Sequence, residues 1–206
     1  MFHDWQLIEV SLSWLARAFL VGYLIGSIPV GVILARVMGL GDLRKVGSGN
    51  IGATNVLRTG NKVAAGLTLV LDMAKGLIPV LIFLSWGDLA AQSAGIGAVL
   101  GHCLPVWLWF RGGKGVATFL GVILGLYWPA GLLVCVTWLV AAGLTRISSA
   151  GALAAAASAP IWLIVLDRPE AVLTAAGLAA WVWLRHHENI RRILSGTEPR
   201  IGSKRA

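Results

Sequence analysis

The chain has 206 residues, 57% of them hydrophobic and only 13% charged, at a mean hydropathy of +0.80. A soluble domain carries about 25% charged residues, so this composition excludes an ordinary globular protein and specifies an integral membrane one. The net charge of +8 accompanies no nucleic-acid-binding signature; it reads as loops facing anionic lipid, and the ten tryptophans suit interfacial belts.

A helix crossing ~30 Å of hydrocarbon needs about 20 apolar residues, fewer where neighbouring helices shield it. The opening MFHDWQLIEV carries acids where a signal peptide has a basic region, so no cleaved leader is expected. In chain order, spans are expected at about 11–37, 63–86, 89–110, 115–127, 129–144, 147–166 and 169–185. Tyr127, Trp128 and Pro129 divide the stretch 115–144 into two short helices, because proline removes a helical donor. The expected architecture is one all-α domain over residues 1–206, a seven-helix transmembrane bundle.

Charge distribution orients that bundle. With the N-terminus outside, every Lys and Arg falls inside except Arg17, Arg168 and Lys75, the last lying within a span. Outer segments hold Asp4, Glu9, Asp88, Asp167 and Glu170 instead. The positive-inside rule thus favours seven spans with the C-terminus cytoplasmic. Merging 115–144 would turn Arg146 and the basic tail outward.

Three polar segments then share the cytoplasmic face: VGSGNIGATNVLR (46–58), GHCLPVWLWFRGGKGVAT (101–118) and HHENIRRILSGTEPRIG (186–202). In the first, Gly47, Gly49 and Gly52 allow close approach of backbone N–H groups to a ligand. Ser48, Asn50, Thr54 and Asn55 add neutral donors, and the Arg58 guanidinium is a planar fork suited to phosphate. Successive amides in such a loop make an anion nest. The plain alternative is a glycine-rich connector with capping side chains.

The second segment gathers Arg111, Gly112, Gly113, Lys114 and Gly115 at the expected start of a helix, where free N–H groups favour an anion. Gly115 stands where a Walker A loop needs Ser or Thr, so the segment is not a Walker A loop. A positive anchor at the membrane surface is the competing reading. In the third segment His186, Asn189 and Arg192 fall on one face of a continuing helix. An amphipathic tail on lipid headgroups would place them similarly, and for Arg200, Lys204 and Arg205 that reading is preferred.

Asp72 and Lys75, three apart within a span, read as an inward-facing ion pair or an active-site contact. His102 is either a satisfied buried histidine or a group orienting the nearby loop. Cys103 and Cys135 read as small buried hydrophobes. No cluster has metal-ligand spacing, so no metal or other cofactor is expected.

SGNIGATNVLR, GHCLPVWLWFRGGKGVAT and HHENIRRILSGTE, in this order and spacing, closely resemble the three motifs of bacterial acyl-phosphate:glycerol-3-phosphate acyltransferase, the PlsY family. The resemblance implies a seven-helix inner-membrane enzyme with its active site facing the cytoplasm. It implies transfer of a fatty acyl group from acyl phosphate to the 1-hydroxyl of sn-glycerol 3-phosphate, giving lysophosphatidic acid and phosphate for phospholipid synthesis. Neither acyl-CoA nor metal is used in that family. By motif position, Ser48, Arg58 and Lys114 match residues that hold phosphate, and His186 and Asn189 match residues near the glycerol phosphate. Gly49, Asn50, Gly52, Thr54, Asn55, His102, Gly112, Gly113 and Gly115 fall among the substrate-binding positions. Two positions depart from the usual pattern: Arg111 stands where Lys is common, and His187 where Arg is common. The implied partners are acyl phosphate, glycerol 3-phosphate and membrane lipid, with no nucleic acid and no obligate protein partner.

The residues suit this chemistry in their own right. An acyl phosphate is an activated mixed anhydride, so cations and amides that stabilise the oxyanion and leaving phosphate suffice without a covalent nucleophile. The chain lacks the His-x-x-x-x-Asp pair typical of acyl-CoA-type glycerolipid acyltransferases. The expectation is that the acyl-phosphate group itself takes the hydroxyl proton while His186 orients the glycerol phosphate. The alternative of a phosphate or organophosphate transporter predicts polar residues along a route through the membrane, whereas here they crowd one face.

Overall fold

Leu12–Gly26 forms α1, but the helix does not run on through the expected span to residue 37. Pro29 cannot donate and disfavours helical backbone at Ile28, so the chain breaks and resumes as α2, Val30–Val37. The computed structural model describes residues 12–202; Ser11, Asp4, Glu9, Lys204 and Arg205 lie outside the described residues. A 3-10 turn at Leu43–Lys45 and the short α3, Ala53–Leu57, follow, then α4, Lys62–Leu84. Next come α5, Asp88–Cys103, and a 3-10 turn at Val106–Leu108. The remaining helices are α6, Val116–Leu126; α7, Trp128–Thr145; α8, Ser148–Val165; α9, Pro169–Arg185; and α10, His187–Leu194. The described residues are all helix and loop, with no strand.

Among the described residues, five segments are long and apolar enough to cross a membrane: Leu12–Val37, Lys62–Leu84, Asp88–Leu108, Trp128–Thr145 and Ser148–Val165. Helix α6, at 11 residues, is about 16 Å long and too short to span alone. Seven of those residues are buried, so its short length is shielded by protein.

Lipid tails give apolar helices no hydrophobic reason to associate, so small residues must bring backbones close. Gly22 and Gly26 of α1 lie against Ala94 and Ala98 of α5. A Cβ on Gly22 would stand 2.0 Å from the Ala94 carbonyl oxygen. Gly97 and Gly101 return the contact, meeting the backbone of Phe19 and Tyr23. Helices α4 and α6 repeat the device, with Gly76 against Thr118 and Gly121 against Met73. The core built around these contacts centres on Phe119, Val122, Ile123, Val134, Leu163, Leu178 and Val182.

The two ends of the bundle differ in chemistry. At one end Trp14 stacks on Trp86, Arg17 lies 5.0 Å from the Trp14 ring, and Arg168 lies 4.4 Å from the Tyr127 ring. The three polar segments gather at the other.

Candidate active site

The first polar segment is a tight loop braced by one residue. Asn55, on α3 and buried, donates through Nδ2 to the carbonyls of Leu43 (2.9 Å) and Asn50 (2.6 Å). Its Oδ1 accepts from the Ser48 backbone N–H at 3.1 Å, with the Ser48 hydroxyl at 3.4 Å. Asn55 thereby shapes the loop from beneath, while Ser48 stays exposed. Gly47 has φ +54°, a backbone that side chains rarely adopt. A Cβ there would also stand 2.6 Å from Arg58 Cδ, so the bare backbone lets Arg58 lie across the loop. Gly49 also has positive φ, beside the Arg44 carbonyl, and Gly52 caps α3 in an extended conformation. The Asn50 side-chain oxygen is buried, and Thr54 Oγ1 reaches Ser148 Oγ at the start of α8, 3.1 Å away.

The second segment doubles back onto the end of α5. Pro105 ends that region of helix, and Trp109 and Phe110 take left-handed backbone at φ 52° and 60°. The N–H of Gly112 then donates to Cys103 O and that of Gly113 to His102 O, both at 3.1 Å. The loop therefore precedes the helix, whose first residue is Val116, with Gly115 as its left-handed cap. Arg185 Nη2 donates to Gly113 O at 3.1 Å, and Arg44 Nη2 to Arg111 O at 3.1 Å, which ties the first loop to the second. His102 is buried below this loop, its carbonyl holding Gly113 and its ring packed against it.

The third segment is interrupted where a continuous helix is expected. Helix α9 ends at Arg185, His186 is the hinge at φ −102° and ψ 10°, and α10 starts at His187. His186 and Asn189 are nevertheless both buried, whereas His187 is exposed. His186 Nδ1 lies 2.7 Å from the Val182 carbonyl, which can only accept. Nδ1 therefore carries the proton and Nε2 keeps its lone pair. Burial, with the Lys114 charge adding to it, pushes the His186 pKa down to about 4.

Lys114 Nζ donates to Asn189 Oδ1. Asn189 Nδ2 in turn donates to Glu198 Oε1 at 2.5 Å. Glu198 also accepts from Ser149 Oγ and from Arg192 Nε, each at 2.6 Å. Burial alone would raise the Glu198 pKa, but these three donors outweigh it and hold the carboxyl below its ordinary range. Burial and the Arg192 charge lower that of Lys114.

Lys114 and Asn189 are thus in direct contact, and the Lys114 charge also acts on buried His186. Thr54 meets α8 one residue from Ser149, while Ser48 and Arg58 form the exposed face of the first loop. Sequence reasoning overlooks three organising residues: Glu198, Ser149 and Arg185. Glu198 had one visible signal, as a rare acid within a basic tail.

Comparison with known proteins bears on this arrangement. Residues 16–196 match the family described as glycerol-3-phosphate acyltransferase. A glycerol-3-phosphate acyltransferase of Cereibacter sphaeroides (strain ATCC 17025 / ATH 2.4.3) is 56% identical over 96% of this chain and 94% of its own. One from Jannaschia sp. (strain CCS1) is 56% identical over 95% of this chain and 97% of its own. Among solved structures, PlsY (YgiH), an integral membrane glycerol 3-phosphate acyltransferase in its glycerol 3-phosphate form, superposes with a TM-score of 0.87. It is 40% identical, over 91% of this chain and 96% of its own. Its lysophosphatidic acid form gives 0.83 at 36% identity, over 91% and 95%. The chain belongs to the glycerol-3-phosphate acyltransferase family.

Proposed function

We propose that this member of the family acylates the 1-hydroxyl of sn-glycerol 3-phosphate with acyl phosphate as donor, releasing lysophosphatidic acid and phosphate. The observation that carries the reading is the Lys114–Asn189–Glu198 link beside His186, which holds an ammonium and a bare imidazole nitrogen at one site. Glycerol 3-phosphate and lysophosphatidic acid, named for the two PlsY forms, are the substrate and product this site would serve.

In this account Ser48, Arg58 and Lys114 hold phosphate, with the amides of Gly49, Gly52, Gly112, Gly113 and Gly115 shaping the pocket. Asn50 and Thr54 complete its polar wall, and Asn55 sets the loop that presents Ser48. His186 Nε2 accepts a hydrogen bond from a glycerol hydroxyl and so orients it. A base with a pKa of about 4 is too weak to remove an alcohol proton near neutrality. The hydroxyl oxygen forms its bond to the acyl carbon as the carbon–oxygen bond to phosphate breaks, and the hydroxyl proton passes to the departing phosphate. Cations stabilise the charge that develops there, and holding two anionic substrates together removes a large entropic part of the barrier.

The reading extends to topology. Helices α6 and α9 complete seven spans in the bacterial inner membrane, with the N-terminus outside and the polar segments cytoplasmic. The cations that gather with the polar segments support that orientation, and its two exceptions, Arg17 and Arg168, each lie against an aromatic ring at the opposite end. The transporter alternative is not favoured, because the polar residues assemble at one end. Arg58→Ala and Lys114→Ala test the site: each is expected to abolish turnover in a folded protein. Near-normal turnover in either overturns its role.

A further inference from the structure

Beneath the Arg111–Gly115 loop lies an ionic cluster that the reaction leaves without a role. Asp72 Oδ1 stands 2.9 Å from Lys75 Nζ and 3.6 Å from His102 Nδ1. All three residues are buried, at 2%, 5% and 4% exposure. Ionisable groups inside a transmembrane bundle are costly and mark function more often than packing. Lys75 also donates to Ile28 O at 2.9 Å, filling the gap where Pro29 breaks the first span. The cluster therefore joins α4 and α5 to the break between α1 and α2, and its upper edge is the His102 ring.

That edge meets Gly113. A Cβ placed on Gly113 would stand 2.0 Å from His102 Nε2 and 2.9 Å from its Cε1. The Gly113 N–H donates to His102 O, and the Gly113 carbonyl accepts from Arg185 Nη2, each at 3.1 Å. Gly113 is thus held on both backbone groups and packed against the Nε2 edge of the imidazole. The next residue is Lys114. Any shift of the ring moves the point from which Lys114 reaches Asn189.

We propose that His102, fixed by Asp72 and Lys75, is a positioning residue that sets the height of Gly113 and thereby aims Lys114 at substrate phosphate. His102 touches no substrate; it acts through the glycine. The proposal rests on the phosphate-holding role of Lys114 given above.

The test uses the full-length protein in lipid mesophase, with palmitoyl phosphate and glycerol 3-phosphate, and reads KM, kcat and thermal midpoint. Gly113→Ala drives a methyl into the ring. His102→Ala removes the support. Displacement by about 1 Å at such a site costs roughly a hundredfold in kcat/KM. Each single variant is expected to lose about that much, chiefly as a raised KM for glycerol 3-phosphate. The double variant, in which the two volumes compensate, is expected to regain activity over Gly113→Ala, as coupled neighbours do. His102→Gln, which keeps a polar side chain of similar reach, is expected to fall between wild type and His102→Ala, and it stands in should the alanine variant not fold.

A merely structural cluster would lower the thermal midpoint and leave KM unchanged; that result overturns the proposal. So does a double variant whose losses simply multiply. Lys114→Ala, run alongside, separates the premise. If it loses turnover while the His102 variants keep wild-type KM, only the positioning role falls. If it keeps wild-type turnover, the phosphate role of Lys114 fails and the proposal with it.

Discussion

Lys114 and Asn189, 75 positions apart in the chain, are joined by a direct hydrogen bond from the lysine ammonium to the amide oxygen. That bond connects the glycine loop before α6 to the first turns of α10. It fixes a flexible four-carbon side chain at the spot where the account places substrate phosphate. An ammonium preorganised in this way needs no reorganisation during reaction.

Asn189→Ala removes the acceptor and also strips Glu198 of one donor. Loss of a single preorganised polar contact in an acyl-transfer site costs about a hundredfold or more in kcat. Asn189→Ala is expected to show that loss in a phosphate-release assay, with the protein still extracting as a folded species. Unchanged kcat would mean that Lys114 does not depend on this partner.

Glu198 is the hub of the third segment. Its side chain is 7% exposed against Arg192, and from the tail it gathers Ser149 of α8 with Asn189 and Arg192 of α10. Glu198→Ala leaves Arg192 without its close partner and two neutral donors without theirs. The Arg192 side chain is 35% exposed, so solvent screens the pair and its loss costs less than the ~3–5 kcal/mol of a fully buried one. A marked fall in the thermal midpoint in detergent is expected, greater than that for Glu188→Ala, whose side chain is 66% exposed.

Protonation gives a third prediction. The folded protein holds His186 near a pKa of about 4, against an ordinary 6.5. Between those values the unfolded chain binds a proton that the folded chain refuses, so stability rises with pH across that window. Glu198, held below the ordinary carboxylate range, acts in the same direction at its lower end. The thermal midpoint is therefore expected to fall as pH drops from about 6.5 towards about 4. His186→Gln is expected to flatten that dependence. A midpoint in wild type that rises on acidification would contradict the buried, neutral assignment.

Much of this architecture is legible in composition and spacing because a membrane protein writes its fold in hydropathy and glycine. The polar segments declare themselves by density of donors within an apolar chain, and their assembly at one end follows from alternation of spans. What escapes is tertiary. Arg185 reads as one more cytoplasmic cation, yet its guanidinium braces Gly113, 72 residues away. Glu198 and Ser149 gain meaning only once the tail returns to the start of α8. The break before α2 is different: Pro29 is visible, but hydropathy runs through it unchanged, so a single span is the natural reading of 11–37. His186 and His187 cannot be ranked from sequence, since adjacent residues differ in burial only after the α9–α10 hinge turns one of them inward.

The account turns on the acyl donor, and one assay addresses it. Purified protein in lipid mesophase, without added metal, receives glycerol 3-phosphate with either palmitoyl phosphate or palmitoyl-CoA. Phosphate and lysophosphatidic acid are followed together. The account predicts both products, in equal amounts, from palmitoyl phosphate and no turnover with palmitoyl-CoA. Lysophosphatidic acid formed from palmitoyl-CoA alone would contradict it.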